Sequence, residues 1–329
     1  MDLVPPIRQS MRNGGHGIRG WSHRDPYPKS APHPAHGPLK EVERNHMATV
    51  MTTTFELAGA DGGPLRGEVR TAEGGENRPA VVICHGFKGF KDWGFFPKLA
   101  DRLAHAGFSA ISFNFTGSGI GPDGESFSEP ERFGHATFSK DVEDIGLVCR
   151  RLSNGQLRSD LAQPTKVGLF GHSRGGGMSV IYTSGADDIS AIVTWSAIGS
   201  LERWPEDTVS QWRRDGKLDV PNARTGDILP VYTDLLDDIE AHKHGKLDLL
   251  AAAGRINVPW MILHGDADET VAVSEAKSLK EAASQDRALL HIVPGASHTM
   301  GSRHPWAGPT PELDFAMGET VGWFTKYLF

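Results

Sequence analysis

The sequence predicts an α/β fold, a mostly parallel sheet with helices on both faces, and three observations carry this expectation. Short continuous apolar runs such as Ala80-Val81-Val82-Ile83-Cys84 recur along the chain, as strands buried on both faces require. Segments with apolar residues at helical spacing alternate with these runs, and repeated β-then-α units build parallel sheets. The 329 residues are 38% apolar and 23% charged, ordinary for a globular protein and sufficient for one large core or two modest ones.

The first 46 residues stand apart. They are rich in Pro, Gly, His and Arg, as in His33-Pro34-Ala35-His36-Gly37-Pro38, and show no periodicity. Such a segment buries too little apolar surface to offset its ordering entropy, so 1–46 is expected to be a disordered extension, with Met47 or Met51 as a start. It also lacks the apolar stretch of a secretory signal. Residues 47–329 are then the folded domain.

Residues 49–57 and 65–71 are β-branched and alternating, with the Gly-rich turn 59–64 between them, and read as a hairpin. After the 80–84 strand, 92–106 carries Phe95, Phe96, Leu99 and Leu103 at helical spacing and stops at Gly107. A strand at 108–115 and a Gly/Ser-rich loop at 116–130 follow, then a helix at 138–152 and a strand at 166–170. The alternation continues through a helix at 173–183 and strands at 189–195, 258–263 and 288–293, with helices at 274–284 and 312–328. Residues 199–255 break the rhythm with Trp204, Trp212, three prolines and an acidic stretch at 234–240. An insertion of that length is expected to lie outside the sheet, as a lid over the strand C-termini.

Charge and cysteine content exclude several classes. Thirty-four basic against 41 acidic residues give a net charge of −7, which argues against a nucleic-acid partner. No run of 18 apolar residues is present to span a membrane. Cys84 and Cys149 give neither a disulfide framework nor a metal spacing and read as buried reduced thiols of a cytoplasmic protein. Neither His242-Lys243-His244 nor His264 with Asp266 and Asp268 has the ligand spacing of structural zinc, so no metal or cofactor is expected. Residues 116–121 lack the dinucleotide-binding spacing and read as a mobile loop.

The string Gly171-His172-Ser173-Arg174-Gly175 follows a strand and opens a helix. Glycines two before and two after the serine relieve the crowding of so sharp a turn, and the helix N-terminus offers free N–H groups where negative charge develops. A serine hydroxyl needs a base, and the base needs a carboxylate to hold its tautomer. Downstream, a strand ends in Gly265-Asp266-Ala267-Asp268-Glu269, and a later one ends before Gly295-Ala296-Ser297-His298. Both loops follow strand C-termini, the edge on which Ser173 lies. His304, six residues beyond His298, precedes Pro305 and falls outside the strand end.

These pieces, with Cys84-His85-Gly86-Phe87, resemble the oxyanion loop, nucleophile elbow, acid loop and histidine loop of the α/β-hydrolase superfamily. The similarity runs from about residue 49 to the C-terminus. Within the superfamily the chain most resembles small bacterial esterases grouped with dienelactone-hydrolase-like and prolyl-oligopeptidase-like proteins, including cinnamoyl and feruloyl esterases. The family pattern H-G-x-x-D-x-x-V implies Asp268 as the acid, with Asp266 holding the turn by bonding its own backbone. The family's usual Pro after the valine is Ala272 here. The resemblance implies an oxyanion hole of the Phe87 and Arg174 N–H groups, while His85, His172 and His264 support loops. Lys88 and Lys91 read as a solvated face.

The implied activity is carboxylic ester hydrolysis through an acyl-serine on a Ser173–Asp268–His298 triad, with a small-molecule ester as substrate. Trp204, Trp212 and Tyr232 of the insertion are candidate pocket walls, with Trp260 just beyond. The acidic residues Asp234, Asp237, Asp238 and Glu240 keep open an aminopeptidase or amidase reading, and acyl transfer uses the same triad. A homodimer is left open.

Overall fold

The computed structural model describes residues 49–73, 78–222, 226–284 and 286–329. The expected N-terminal extension, 1–46, lies outside the described residues. Strands β1 (Val50–Ala58) and β2 (Pro64–Ala72) form the hairpin read from the sequence, with Leu57 opposite Leu65. They flank β3 (Ala80–Cys84), β4 (Ser109–Phe113), β5 (Val167–His172), β6 (Ala191–Trp195), β9 (Trp260–Gly265) and β10 (Ala288–Val293). The eight strands lie in the order β1-β2-β4-β3-β5-β6-β9-β10. β2 runs antiparallel to β4, and every pair from β4 to β10 is parallel. This is the mostly parallel sheet that the apolar runs predict.

Alternate residues of each central strand enter different cores, which is why these strands read as unbroken apolar runs. Val81, Ile83, Phe170 and Leu263 pack with α1 (Phe96–His105) and α9 (Pro311–Leu328) on one face. Val82, Cys84, Leu169 and Ile262 pack on the other with α3 (Phe138–Ser153), α4 (Arg174–Thr183), α7 (Leu249–Arg255) and α8 (Val273–Ala282). Helix α1 begins four residues later than the apolar spacing suggests. Pro97, which has no N–H to donate, takes its first turn, and 92–95 form turns before it. The loop expected at 116–130 contains a 3₁₀ turn at Thr116–Ser118 and ends at a short helix, α2 (Pro130–Gly134).

The chain leaves β3 for β4 on one side and returns to β5 on the other, so the strand order reverses between β3 and β5. A crevice opens at the strand C-termini at such a reversal, and ligands of open α/β sheets bind there. The loops ending in Phe87 and Ser173 flank this crevice.

Between β6 and β9 the chain forms α5 (Glu206–Asp215), β7 (Lys217–Pro221), β8 (Ile228–Tyr232) and α6 (Asp234–His242), then α7. β7 and β8 form a separate antiparallel two-stranded sheet. Helix α7 packs against α4 and α8, so the last turns of the 199–255 segment belong to the helical layer. Asp238 of α6 accepts from the Ser139 N–H (2.9 Å) and hydroxyl, which fixes α6 to the start of α3. Lys88 donates to the Pro221 carbonyl (3.2 Å), tying the loop after β3 to the insertion. Among the described residues no helix is long and apolar enough to cross a membrane.

Candidate active site

Ser173 lies between β5 and α4 with φ 56° and ψ −121°, a region that non-glycine residues avoid and that persists only where the surroundings impose it. Its N–H donates to Trp195 O (2.9 Å), and its carbonyl accepts from Gly177 and Ile198 N–H (3.1 and 3.2 Å). The flanking glycines are steric necessities. A Cβ on Gly171 would stand 2.5 Å from Ser179 Oγ and 2.6 Å from Gly175 O, and one on Gly175 would stand 2.2 Å from His85 O. Gly175 thus lets the loop after β3 lie against the first turn of α4. Ser173 occupies the N-cap position of α4, where a serine ordinarily accepts a backbone N–H, yet its side chain makes no capping bond.

Asp268 and His298 lie side by side. His298, in the loop after β10, has Nδ1 2.8 Å from Asp268 Oδ2, and the Asp268 side chain is fully buried. A carboxylate only accepts, so Nδ1 carries the proton and Nε2 is the basic nitrogen. Asp268 Oδ1 accepts from the Thr270 and Val271 N–H groups, each at 2.9 Å. Burial pushes this carboxyl up, but hydrogen bonds from His264, His298 and the Val271 amide outweigh it and hold Asp268 well below the usual carboxylate range.

Asp266 does not close its own turn. Its Oδ1 accepts from Gly295 N–H (2.7 Å), joining the acid loop to the histidine loop. His264, fully buried, has Nε2 2.8 Å from Val271 O and 3.3 Å from Asp268 Oδ2. A carbonyl only accepts, so His264 carries its proton on Nε2 and steadies the same carboxylate oxygen as His298.

His172, next to Ser173, brings the histidine loop to the elbow. Its Nε2 donates to the His298 carbonyl (3.0 Å), with the two rings 4.8 Å apart. Burial, and then His298 beside it, push His172 down to about 3, so it is neutral at ordinary pH. His85 accepts the Phe115 N–H at Nε2 (3.2 Å) and donates from Nδ1 to Gly86 O (2.9 Å). Burial pushes it down to about 4, and it braces the turn leading to Phe87.

A cavity of about 260 Å³ opens at Ser173, with Phe87, Arg174, Phe138, Ile198 and Trp204 among its walls. Arg174, first residue of α4, has an N–H without an intrahelical acceptor. Its guanidinium donates to buried Asp141 (2.5 Å) and lies 4.6 Å from the Phe138 ring centroid. Burial pushes the Asp141 carboxyl up, and Arg174 opposes that. Sequence reasoning placed the insertion's aromatic residues together, and the structure separates them. Trp204 lines the cavity. Trp212 is buried behind it, ring centroids 5.2 Å apart, and Tyr232 packs on His135 with its hydroxyl on Glu131 (3.1 Å). Trp260 is a core residue of β9 that donates to Thr194 Oγ1 (3.0 Å).

Arg203 and Thr270 also line the cavity and carry no sequence signal, and Val271, the valine of the H-G-x-x-D-x-x-V pattern, lines it beside them. Lys91 is not on a solvated face, because its largely buried ammonium pairs with Glu68 (2.9 Å) and Asp92 (2.5 Å). The acidic stretch is spent on ties to Ser139, His135 and Arg213, and none of its four carboxylates lines the cavity at Ser173. Cys84 and Cys149 are buried free thiols, pushed up by burial. Among the described residues no three His, Cys, Asp or Glu side chains are grouped to hold a metal.

The chain is similar to known hydrolases in sequence and in fold. Over 214 residues the chain is 23% identical to 2,6-dihydropseudooxynicotine hydrolase of Paenarthrobacter nicotinovorans, covering 64% of this chain and 49% of that protein. The chain spans only 33% to 49% of the length of the curated relatives it matches. The esterase domain of a Rhodothermus marinus protein superposes with a TM-score of 0.58 at 18% identity, covering 85% of this chain and all of that one. Est1E of Butyrivibrio proteoclasticus does so with a TM-score of 0.59 at 16% identity, over 84% and 98%. At such identities these two structures establish a shared fold. The profile of the alpha/beta hydrolase fold family matches residues 79–253, which contain the elbow but end before Asp268 and His298. With more than half of its length matched, this chain belongs to the alpha/beta hydrolase fold family.

Proposed function

We propose that the protein is a serine hydrolase that cleaves carboxylic esters, with Ser173 as nucleophile, His298 as base and Asp268 as the acid that holds His298. The observation that carries this reading is the contact of His298 with buried Asp268, at 2.8 Å, in which the His298 loop is tied by His172 to the Ser173 elbow. In the first step His298 Nε2 takes the Ser173 proton while Oγ adds to the ester carbonyl. The resulting oxyanion rests on the N–H groups of Phe87 and Arg174. Collapse breaks the bond to the alcohol oxygen, which takes the proton from His298, and leaves an acyl-serine. Water then gives its proton to His298 and adds to the acyl carbon. Ser173 leaves with that proton, and the carboxylic acid is released.

The insertion serves as a lid in this reading, since Arg203 and Trp204 reach the cavity of Ser173. Esters are preferred to peptides because the carboxylates of the acidic stretch, which an amine substrate would need, are engaged elsewhere. The test is a panel of p-nitrophenyl esters run beside aminoacyl anilides, with Ser173→Ala as control. Ester turnover that is lost in the variant supports the reading. Anilide turnover exceeding ester turnover would move the protein to an amidase, and ester turnover surviving in Ser173→Ala would refute the nucleophile.

A further inference from the structure

A second cavity, of about 380 Å³, shares two walls with the first, Arg203 and Trp204. Both walls are held in place. Arg203 donates to the two oxygens of Glu275 (3.0 and 2.9 Å) and to Thr270 O (3.1 Å), while Trp204 stands edge-on against Trp212. The first cavity alone falls just below the roughly 300–1,000 Å³ of ordinary ligand sites, and the two joined fall well within that range.

The second cavity has apolar walls in Leu201, Val209, Leu236 and Ile239, with the carboxylates of Glu202, Glu206 and Glu240 at its edge beside three cations. Each cation among its described lining residues is already paired. Arg203 is on Glu275, Arg213 on Asp237 and Glu240, and Lys243 on Glu202. With these cations neutralised and Glu202, Glu206 and Glu240 on the walls, the space disfavours an anion, and its four aliphatic walls suit an uncharged apolar group. Its place in the reaction follows from the first cavity. Ser173, Phe87 and Arg174 line that cavity, whereas His298, which must protonate the departing alcohol, is not among its described walls. The part of the substrate held there is the part that stays on the serine.

Resting on the reading of Ser173 as nucleophile, we propose that the two cavities form one acyl site divided at Trp204, made for esters of long uncharged acyl chains. The carbonyl end lies in the first cavity, and the chain passes Trp204 to end among the apolar walls of the second.

The test uses the full chain and p-nitrophenyl esters from acetate to dodecanoate. Each methylene withdrawn from water is worth about fourfold in kcat/KM, so the rate should keep climbing beyond the length that fills the first cavity. Val209→Phe and Glu206→Trp, both on α5, narrow the second cavity, and each should lower the decanoate-to-acetate ratio of kcat/KM at least tenfold. A second readout needs no variant: straight-chain carboxylates should inhibit wild-type acetate hydrolysis more tightly at each step from hexanoate to dodecanoate. A ratio unchanged within twofold in folded variants, or inhibition that stops tightening at hexanoate, would overturn the divided acyl site. Acetate turnover that persists in Ser173→Ala would instead overturn the reading on which it rests.

Discussion

Replacing Asp268 with asparagine tests the acid by the consequences of its hydrogen bonds. The carboxylate accepts four N–H groups in a fully buried position, from His298 and His264 on Oδ2 and from Thr270 and Val271 on Oδ1. Asparagine keeps one accepting oxygen. If that oxygen faces His298, the amide NH₂ meets the Thr270 and Val271 N–H groups and leaves both unpaired, at about 1–3 kcal/mol each. If the oxygen faces the backbone, the NH₂ meets His298, which can respond by moving its proton to Nε2. The second arrangement keeps both backbone bonds and so prevails, but an Nε2–H cannot accept the Ser173 proton. The expected loss is about 10³–10⁴-fold in kcat, or roughly 4–5.5 kcal/mol of barrier, with the fold retained. The assay is kcat/KM on p-nitrophenyl butyrate near neutral pH for wild type, Asp268→Asn and Asp266→Asn. Asp266 accepts only the Gly295 N–H among the described bonds, and asparagine preserves that acceptor, so its variant should remain within a few-fold of wild type. Asp268→Asn within tenfold of wild type, or Asp266→Asn costing more, would refute the reasoning.

Gly175→Ala places a methyl 2.2 Å from His85 O, so thermal melting should show a loss of about 3 kcal/mol or more and kcat should fall about 10²-fold as the elbow shifts. Arg174→Ala strands buried Asp141 and should cost about 3–5 kcal/mol by denaturant titration. Its backbone N–H remains, so the folded variant should keep kcat within about tenfold; a larger loss would give the guanidinium a catalytic part. Burial pushes Asp144 up to about 6 from 3.8, although it accepts from Ala60 and Thr116. Its carboxyl then binds its proton more tightly folded than unfolded, so its contribution is fully present below about pH 4 and lost as pH rises through 6. The difference amounts to about 3 kcal/mol. Stability of wild type relative to Asp144→Asn should fall across that window, and a flat difference would contradict the shift.

The sheet was legible because burial on two faces leaves an unmistakable record, the apolar runs of β3, β5, β6 and β9. Turn chemistry marked the elbow, where Gly171 and Gly175 have no room for a side chain. Parallel strands put every following loop on one edge, so strand order brought the loops of Asp268 and His298 to the same rim, while the choice of Asp268 over Asp266 came from the family resemblance. The insertion was far less legible. Trp204, Trp212 and Tyr232 are alike in sequence, and only tertiary packing decides that one reaches the cavity, one is buried behind it and one faces α2. Lys91 looked solvated because its partner Glu68 lies 23 residues away on β2. Asp266 was read as bonding locally, whereas its acceptor role spans 29 residues to Gly295. Long-range partners of short polar side chains leave no periodicity to read.

The central claim is that Ser173 forms the covalent intermediate, and mass spectrometry of the intact protein after reaction with a fluorophosphonate tests it most directly. The account predicts a single adduct that maps to the peptide holding Gly171–Gly175, slowed by prior incubation with an ester substrate and absent from Ser173→Ala. An adduct on another residue, or labelling that persists in folded Ser173→Ala, would contradict it.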